Sequence, residues 1–389
     1  MELGKGIWPI MVRSVIQIVR RPIYWFGFFG IPLFMFLFIT SMLEGGLPEH
    51  VPAAMVDRDG TSLSREVTRN LNAIQTVSIT ETLNSYTEAR QALQEGRIYG
   101  FFLIPENFQA DLLAGRKPAI TFYTNMSYYV AGTMLFKSFK TTAVLTKAGV
   151  AMKVANTAGQ NPEQLAPLIQ PVNIQARGIG NPALNYGIYL GNSFVPCTLQ
   201  LLIMLITVFS IGQEIKYSTS PRLLAMADGS IVKALFAKLL PQTLIWWVVA
   251  IFMAVWLFRF NGYTMQGSWF WLILSEMMFV LATQGFSIFI ISAIPNLRLA
   301  LSACSLLGIL SFSIAAFSFP VQSMYGAIAI FSYILPTRYN FLIYIDQALN
   351  GIHIYYSRIW FVAYIVFMII PFTLLWNLKR YMKRPVYVP

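Results

Sequence analysis

From Ala234 to Phe258 the chain reads ALFAKLLPQTLIWWVVAIFMAVWLF, with Lys238 as its one charge. A run this long and apolar has the length needed to cross a hydrocarbon layer of about 30 Å. In lipid every backbone polar group must be satisfied within the fold, and a run apolar on all sides does this as a helix. Six runs of this kind occur, at roughly 22–42, 188–211, 234–258, 269–294, 299–319 and 359–378. Charged residues make up 11% of the 389 residues, against about 25% in soluble domains. The predicted fold class is therefore an integral membrane α-helical protein. It has six transmembrane helices, with an extracytoplasmic α+β domain inserted between spans 1 and 2. The first run follows a long segment, is of span length and precedes no A-x-A-like site, so it is expected to be an uncleaved anchor.

Orientation follows from the basic residues near the span ends. With residues 1–21 and 379–389 placed in the cytoplasm, thirteen Lys and Arg side chains fall on the inner side. Only Arg259, Arg338 and Arg358 fall in the short outer segments. The insert 43–187 is nearly neutral, with twelve basic and eleven acidic residues. The formal charge of +12 is thus a membrane-topology signal with some attraction to anionic lipid heads, and nucleic acid is not an expected partner.

Residues 1–21 are read as an amphipathic helix at the cytoplasmic interface. Ile7, Met11, Val15 and Ile18 recur at helical spacing, with Arg13, Gln17 and Arg20 on another face. In the insert, strand and helix signals alternate. Strands are expected at VPAAMV, VSIT, IYGFFLI and AITFYT. Helices are expected at about 64–73, capped by Ser62 or Ser64, at 85–95, in PENFQADLLAG with Pro in its first turn, and at 127–157. Residues 188–378 carry spans 2 to 6. The segment 320–357 is too apolar for a plain connector and too short for a further span before Pro336, so it is read as outer re-entrant helices.

Catalytic signatures are missing from the sequence. There is no G-x-x-x-x-G-K-[ST], G-x-S-x-G, H-E-x-x-H or C-x-x-C. The two cysteines, Cys197 and Cys304, lie within apolar runs, and the two histidines, His50 and His353, are far apart. No catalytic, cofactor-binding or metal site is expected in this chain. Glu276 lies about two turns inside the fourth span. An acid at that depth marks either a polar path or a buried structural hydrogen-bonder. Gln200, Gln242 and Gln284 are expected to bond between helices.

The polar stretch GQEIKYSTSPRLLAMADGS, within the loop 212–233, separates spans 2 and 3 on the inner side. It contains a short helix whose Leu223–Leu224 pair needs lipid or a soluble partner to cover it. This loop resembles that of the permease subunits of type-2 ABC exporters, in the drug-efflux-like branch with a large periplasmic domain. The family pattern there is E-R-E-x-G-T, a Leu pair, a Pro three residues on, and G-K entering the third span. Glu214, Thr219, Leu223, Leu224 and Lys238 match it. Lys216, Ser218, Ala227 and Ala237 depart from it, standing for the second acid, the Gly, the Pro and the second Gly. MVDRDGTSLSREV, GFFLIPENFQADLLAGRKPAITFYTN, NPALNYGIYLGNSFVP and LPTRYNFLIYIDQALNG extend the resemblance over essentially the whole chain.

The resemblance implies a permease subunit that moves hydrophobic or amphipathic small molecules outward across a bacterial inner membrane. It would pair with a second copy or a sibling permease and with two ABC ATPase subunits, which would hold ATP and Mg. Glu214, Thr219, Arg222, Leu223, Leu224 and Lys238 would couple it to the ATPase. A periplasmic adaptor and an outer-membrane duct would be further partners. The competing expectation is an envelope bridge or receptor that its spans merely anchor.

Overall fold

The computed structural model describes residues 5–114, 116, 118–157, 181, 185–317 and 319–386. Contacts divide the chain into two units, one of 47–177 and one that joins 1–46 to 178–389.

In the larger unit, six helices are long and apolar enough to cross a membrane. They are Pro22–Met42, Gly187–Lys216, Ile231–Arg259, Trp269–Ala293, Leu297–Ile314 and Ile354–Thr373, called spans 1 to 6 below. Several ends differ from the predicted ones. Span 2 continues past Ile211 to Lys216, so Gln213, Glu214 and Ile215 are buried helix rather than loop. Span 3 begins at Ile231, where the Ser230 hydroxyl accepts from the Lys233 amide. Asn296 caps span 5 by accepting from the Arg298 and Leu299 amides, and the helix ends at Ile314 rather than 319. Span 6 starts at Ile354, where the ring of His353 accepts from the Tyr355 amide. It tightens to a 3₁₀ turn at Pro371, and a separate helix, Leu375–Lys383, runs into the expected tail. Polar caps set the starts of spans 3, 5 and 6 and a proline the end of span 6, and hydropathy alone is blind to both. The segment before span 6 forms two helices, Gly326–Tyr333 and Pro336–Leu349, bent by 79° at the predicted break.

Span 2 is the central helix, with 78% of its most apolar window buried against 22% for span 6. It packs against spans 4 and 5, and span 4 packs in turn on spans 3 and 6. Small residues allow the close crossings. A Cβ on Gly285 of span 4 would lie 2.4 Å from the Phe367 carbonyl oxygen, so spans 4 and 6 meet backbone to backbone. The helix Ile7–Arg20 packs on span 3. Its buried stripe is Ile10, Ser14 and Ile18, while Ile7 and Val15 are exposed. The predicted faces are thus rotated, and the polar Arg13 and Gln17 turn toward the protein.

The smaller unit is an α+β domain around a four-stranded sheet in the order β2-β1-β3-β4, with β1 Val51–Asp57, β2 Val77–Leu83, β3 Gly100–Ile104 and β4 Thr121–Thr124. β1 runs parallel to β2 and β3, and β4 is antiparallel to β3. Residues of β1 are buried on both faces. Ala53 and Met55 pack with Val67, Leu71 and Phe139, and Ala54 and Val56 pack with Ala89 and Ala92. This explains why the strand reads as a continuous apolar run. The first helix, Ser62–Asn72, is capped by Thr61 rather than by either serine. The Ser64 hydroxyl instead donates to Asp57, 2.7 Å away. Pro105 lies outside the helix Phe108–Leu113, which starts after Asn107 in a left-handed conformation (φ 58°).

Candidate functional site

Glu214 sits in the last turn of span 2, where the helix macrodipole disfavours a carboxylate. Its side chain is 1% exposed. An acid so placed requires donors, and four converge on it. Lys238 Nζ of span 3 donates to Oε1 at 2.8 Å, and Gln17 Nε2 donates to the same oxygen at 3.2 Å. Arg13 Nη2 donates to Oε2 at 2.7 Å, and the Thr219 hydroxyl donates there too. Lys238 Nζ also donates to Gln17 Oε1 at 3.0 Å, and the Ser14 hydroxyl donates to the Lys238 carbonyl at 2.6 Å. One carboxylate therefore ties together the N-terminal helix, the end of span 2, the loop and the start of span 3.

A second ring of contacts tightens this assembly. Arg21 donates to Gln213, which donates to the Tyr24 hydroxyl. The Gly6 amide donates to the Met226 carbonyl at 2.9 Å, and the Ser220 hydroxyl donates to that of Met382 at 2.9 Å. Breaking a buried ion pair by removing one partner costs about 3–5 kcal/mol. The four elements are therefore held in one arrangement.

The loop is folded to match. Span 2 closes with the Thr219 amide donating to the Glu214 carbonyl at 2.9 Å and the Ser218 amide to that of Ile215 at 3.1 Å. Ser218 takes the left-handed conformation this motif needs (φ 54°). The short helix Ser220–Met226 ends in a similar motif, with the Gly229 amide on the Leu224 carbonyl at 2.8 Å and Asp228 at φ 54°. Family Gly at the Ser218 position is thereby explained, since only Gly adopts this conformation without strain.

The site residues predicted from the sequence separate into three groups. Glu214, Thr219 and Lys238 come together in the buried cluster. Arg222 and Ala225 are exposed on the short helix, and Tyr217, just before it in the chain, is exposed too. Leu223 and Leu224 are corrected: they are 1% and 4% exposed, packed into the core of their own chain, not open to lipid or a partner. Their short helix packs against the C-terminal helix, the start of span 3 and the N-terminal helix. Arg13 and Gln17, missed as site residues, were legible as a polar i, i+4 pair on a helix facing a chain with few acids.

Glu276 is a separate site. It is buried in span 4 and accepts from Asn340 Nδ2 of the bent helix pair at 3.0 Å. Beside it lies a cavity of ≈ 20 Å³ lined also by Asn192 and Tyr344, about the room one water needs. The three glutamines bond between helices. Gln242 donates to Ser210 at 2.7 Å, Thr243 donates to Gln284 at 2.8 Å, and the Thr337 amide donates to Gln200 at 2.8 Å.

A six-span membrane unit with an interlocked polar cluster under spans 2 and 3, and an α+β domain inserted after span 1, has the make-up of a transport permease. The chain belongs to the ABC-2 transporter family, whose model (ABC-2 family transporter protein) matches residues 22–377. Among curated proteins it is similar to the linearmycin resistance permease protein LnrN of Bacillus subtilis (strain 168), 28% identical over 160 residues. That match covers 40% of this chain and 40% of the relative. The chain is thus an integral membrane permease of this family.

Proposed function

We propose that this chain is the membrane-spanning half of an ATP-driven exporter, powered by a separate ABC ATPase that seats against the loop 212–233 from the cytoplasm. The buried Glu214 cluster supports this most: it makes the loop a rigid extension of spans 2 and 3 and of the N-terminal helix. The docking face in this scheme is the exposed side of the loop, Tyr217 and Arg222, not the Leu pair. The thirteen-to-three bias of basic residues supports a cytoplasmic loop and an extracytoplasmic 47–177 unit. ATP and Mg belong to the partner. Its closure moves the spans only if it binds their two arrangements unequally. A second permease copy or a sibling completes the path. The cargo is a hydrophobic or amphipathic small molecule, in keeping with a relative named for resistance to linearmycin. We place the protein in a bacterial inner membrane, with the outer unit facing a periplasmic adaptor and duct.

The test is co-purification with an ABC ATPase, followed by nucleotide-driven transport in vesicles. Tyr217→Ala with Arg222→Glu is expected to release the ATPase while leaving the permease's melting temperature unchanged. Uphill transport by this chain alone would overturn the proposal. So would an ATPase that stays bound to the double variant.

A further inference from the structure

A cavity of ≈ 420 Å³ opens between spans 3 and 4 and the end of span 6, within the range of small-molecule sites. Its walls are apolar, among them Leu235, Leu239, Leu281 and Ile288. Its rim includes Phe236 and Phe372, 56% and 58% exposed on the surface that spans 3 and 6 turn outward. At its floor stand two polar side chains, Thr243 and Gln284. Gln284 is 4% exposed, and its Oε1 takes the Thr243 hydroxyl. Its Nε2 is buried and has no partner among the described residues. Leaving such a group unpaired costs about 1–3 kcal/mol, so a ligand that brings an acceptor to it gains that much.

The tail of a resident phospholipid cannot supply that acceptor. Gln284 lies nine residues before Ala293, the end of span 4, or about 13 Å along the helix axis. Ester oxygens stay at the interface, and the hydrocarbon beyond them offers an amide nothing. The missing group must be carried within an apolar body. We infer that this groove is a binding site, opening to the bilayer, for an apolar molecule that bears a hydroxyl or carbonyl oxygen in its interior, with Gln284 as the residue that selects it. The site lies within this chain and needs neither ATPase nor nucleotide, so it goes beyond the transport mechanism proposed above.

The test uses the full-length protein in nanodiscs without ATPase. The probes are brominated octadecylphosphocholine and its analogue with a mid-chain hydroxyl. Binding is read as quenching of Trp247, which lines the groove, by difference from Trp247→Phe. The hydroxyl probe is expected to bind about 10-fold more tightly, as one buried hydrogen bond allows. Gln284→Leu should abolish that preference and leave the plain probe bound as before, and Gln284→Met serves the same purpose if the leucine variant misfolds. Equal binding of both probes to the unmodified protein would overturn the inference and leave a groove holding lipid tails only. So would a preference that survives both variants, or quenching that does not involve Trp247. None of these results would touch ATPase-driven transport.

Discussion

The two units each carry a small network of ions, and the contrast between them shows what burial does to the same chemistry. In the 47–177 unit, Arg97 donates to Glu81 and to Glu95, the latter at 2.9 Å. Its side chain is 46% exposed and that of Glu95 44%. Water and salt screen such pairs, and holding long side chains in one geometry costs entropy. In the membrane unit, Glu214 and Lys238 are 1% and 3% exposed at 2.8 Å. Neither can return to water without taking the helices apart. The exposed network decorates its domain, whereas the buried one fixes the order in which four elements meet.

The sharpest challenge to this contrast lies beside the cluster. Leu223→Ala together with Leu224→Ala should lower the melting temperature of the detergent-purified protein most, since each buried Leu→Ala costs about 2–5 kcal/mol. An unchanged melting temperature with loss of the ATPase would restore the pair to a docking role. Next in size, Lys238→Met should cost about 3–5 kcal/mol by leaving the buried carboxylate short of its main cation. Adding Glu214→Gln should recover part of that loss, which a double-mutant cycle on thermal denaturation would measure. Full additivity would mean the two residues do not act as a pair. Ser218→Gly should stabilise the protein by about 1 kcal/mol, relieving a left-handed non-glycine residue. A lower melting temperature would show that the serine contributes something the backbone does not.

The smallest effect is expected at Arg97→Gln, read by hydrogen exchange of β1 to β3 in the full chain. The change should shrink further at about 1 M salt, where screening acts within about 3 Å. Its pH dependence has a definite sign. Hydrogen bonding from Arg97, aided by Gln91, holds the Glu95 carboxyl below its ordinary value. A depressed carboxylate stabilises above its unfolded value and loses that contribution as pH falls through its folded one. Protection of this sheet should therefore weaken on acidification through the carboxylate range, and less so in Arg97→Gln.

Much of the architecture was legible because lipid imposes a length and a composition on whatever crosses it. All six spans were found, as was the break at Pro336, and the insert's alternation of strands and helices was read in order. The starts of spans 3, 5 and 6 were misplaced where Ser230, Asn296 and His353 cap them, because one side-chain oxygen or ring nitrogen outweighs several residues of hydropathy. Glu214 and Lys238 were picked out, but by their resemblance to a family pattern. Their meeting with Arg13 and Gln17 was not legible, since it joins residues some two hundred positions apart.

By itself the sequence determined the medium, the six helices long and apolar enough to cross it and the presence of an inserted α+β domain, because each follows from local composition and periodicity. Tertiary structure alone decided which faces turn inward. It took the Leu pair from the surface, turned the polar side of the N-terminal helix into the protein and left an amide unpaired beneath an apolar groove. The reason is physical: amphipathic faces say that a surface must be covered, and only the packing of distant helices says by what.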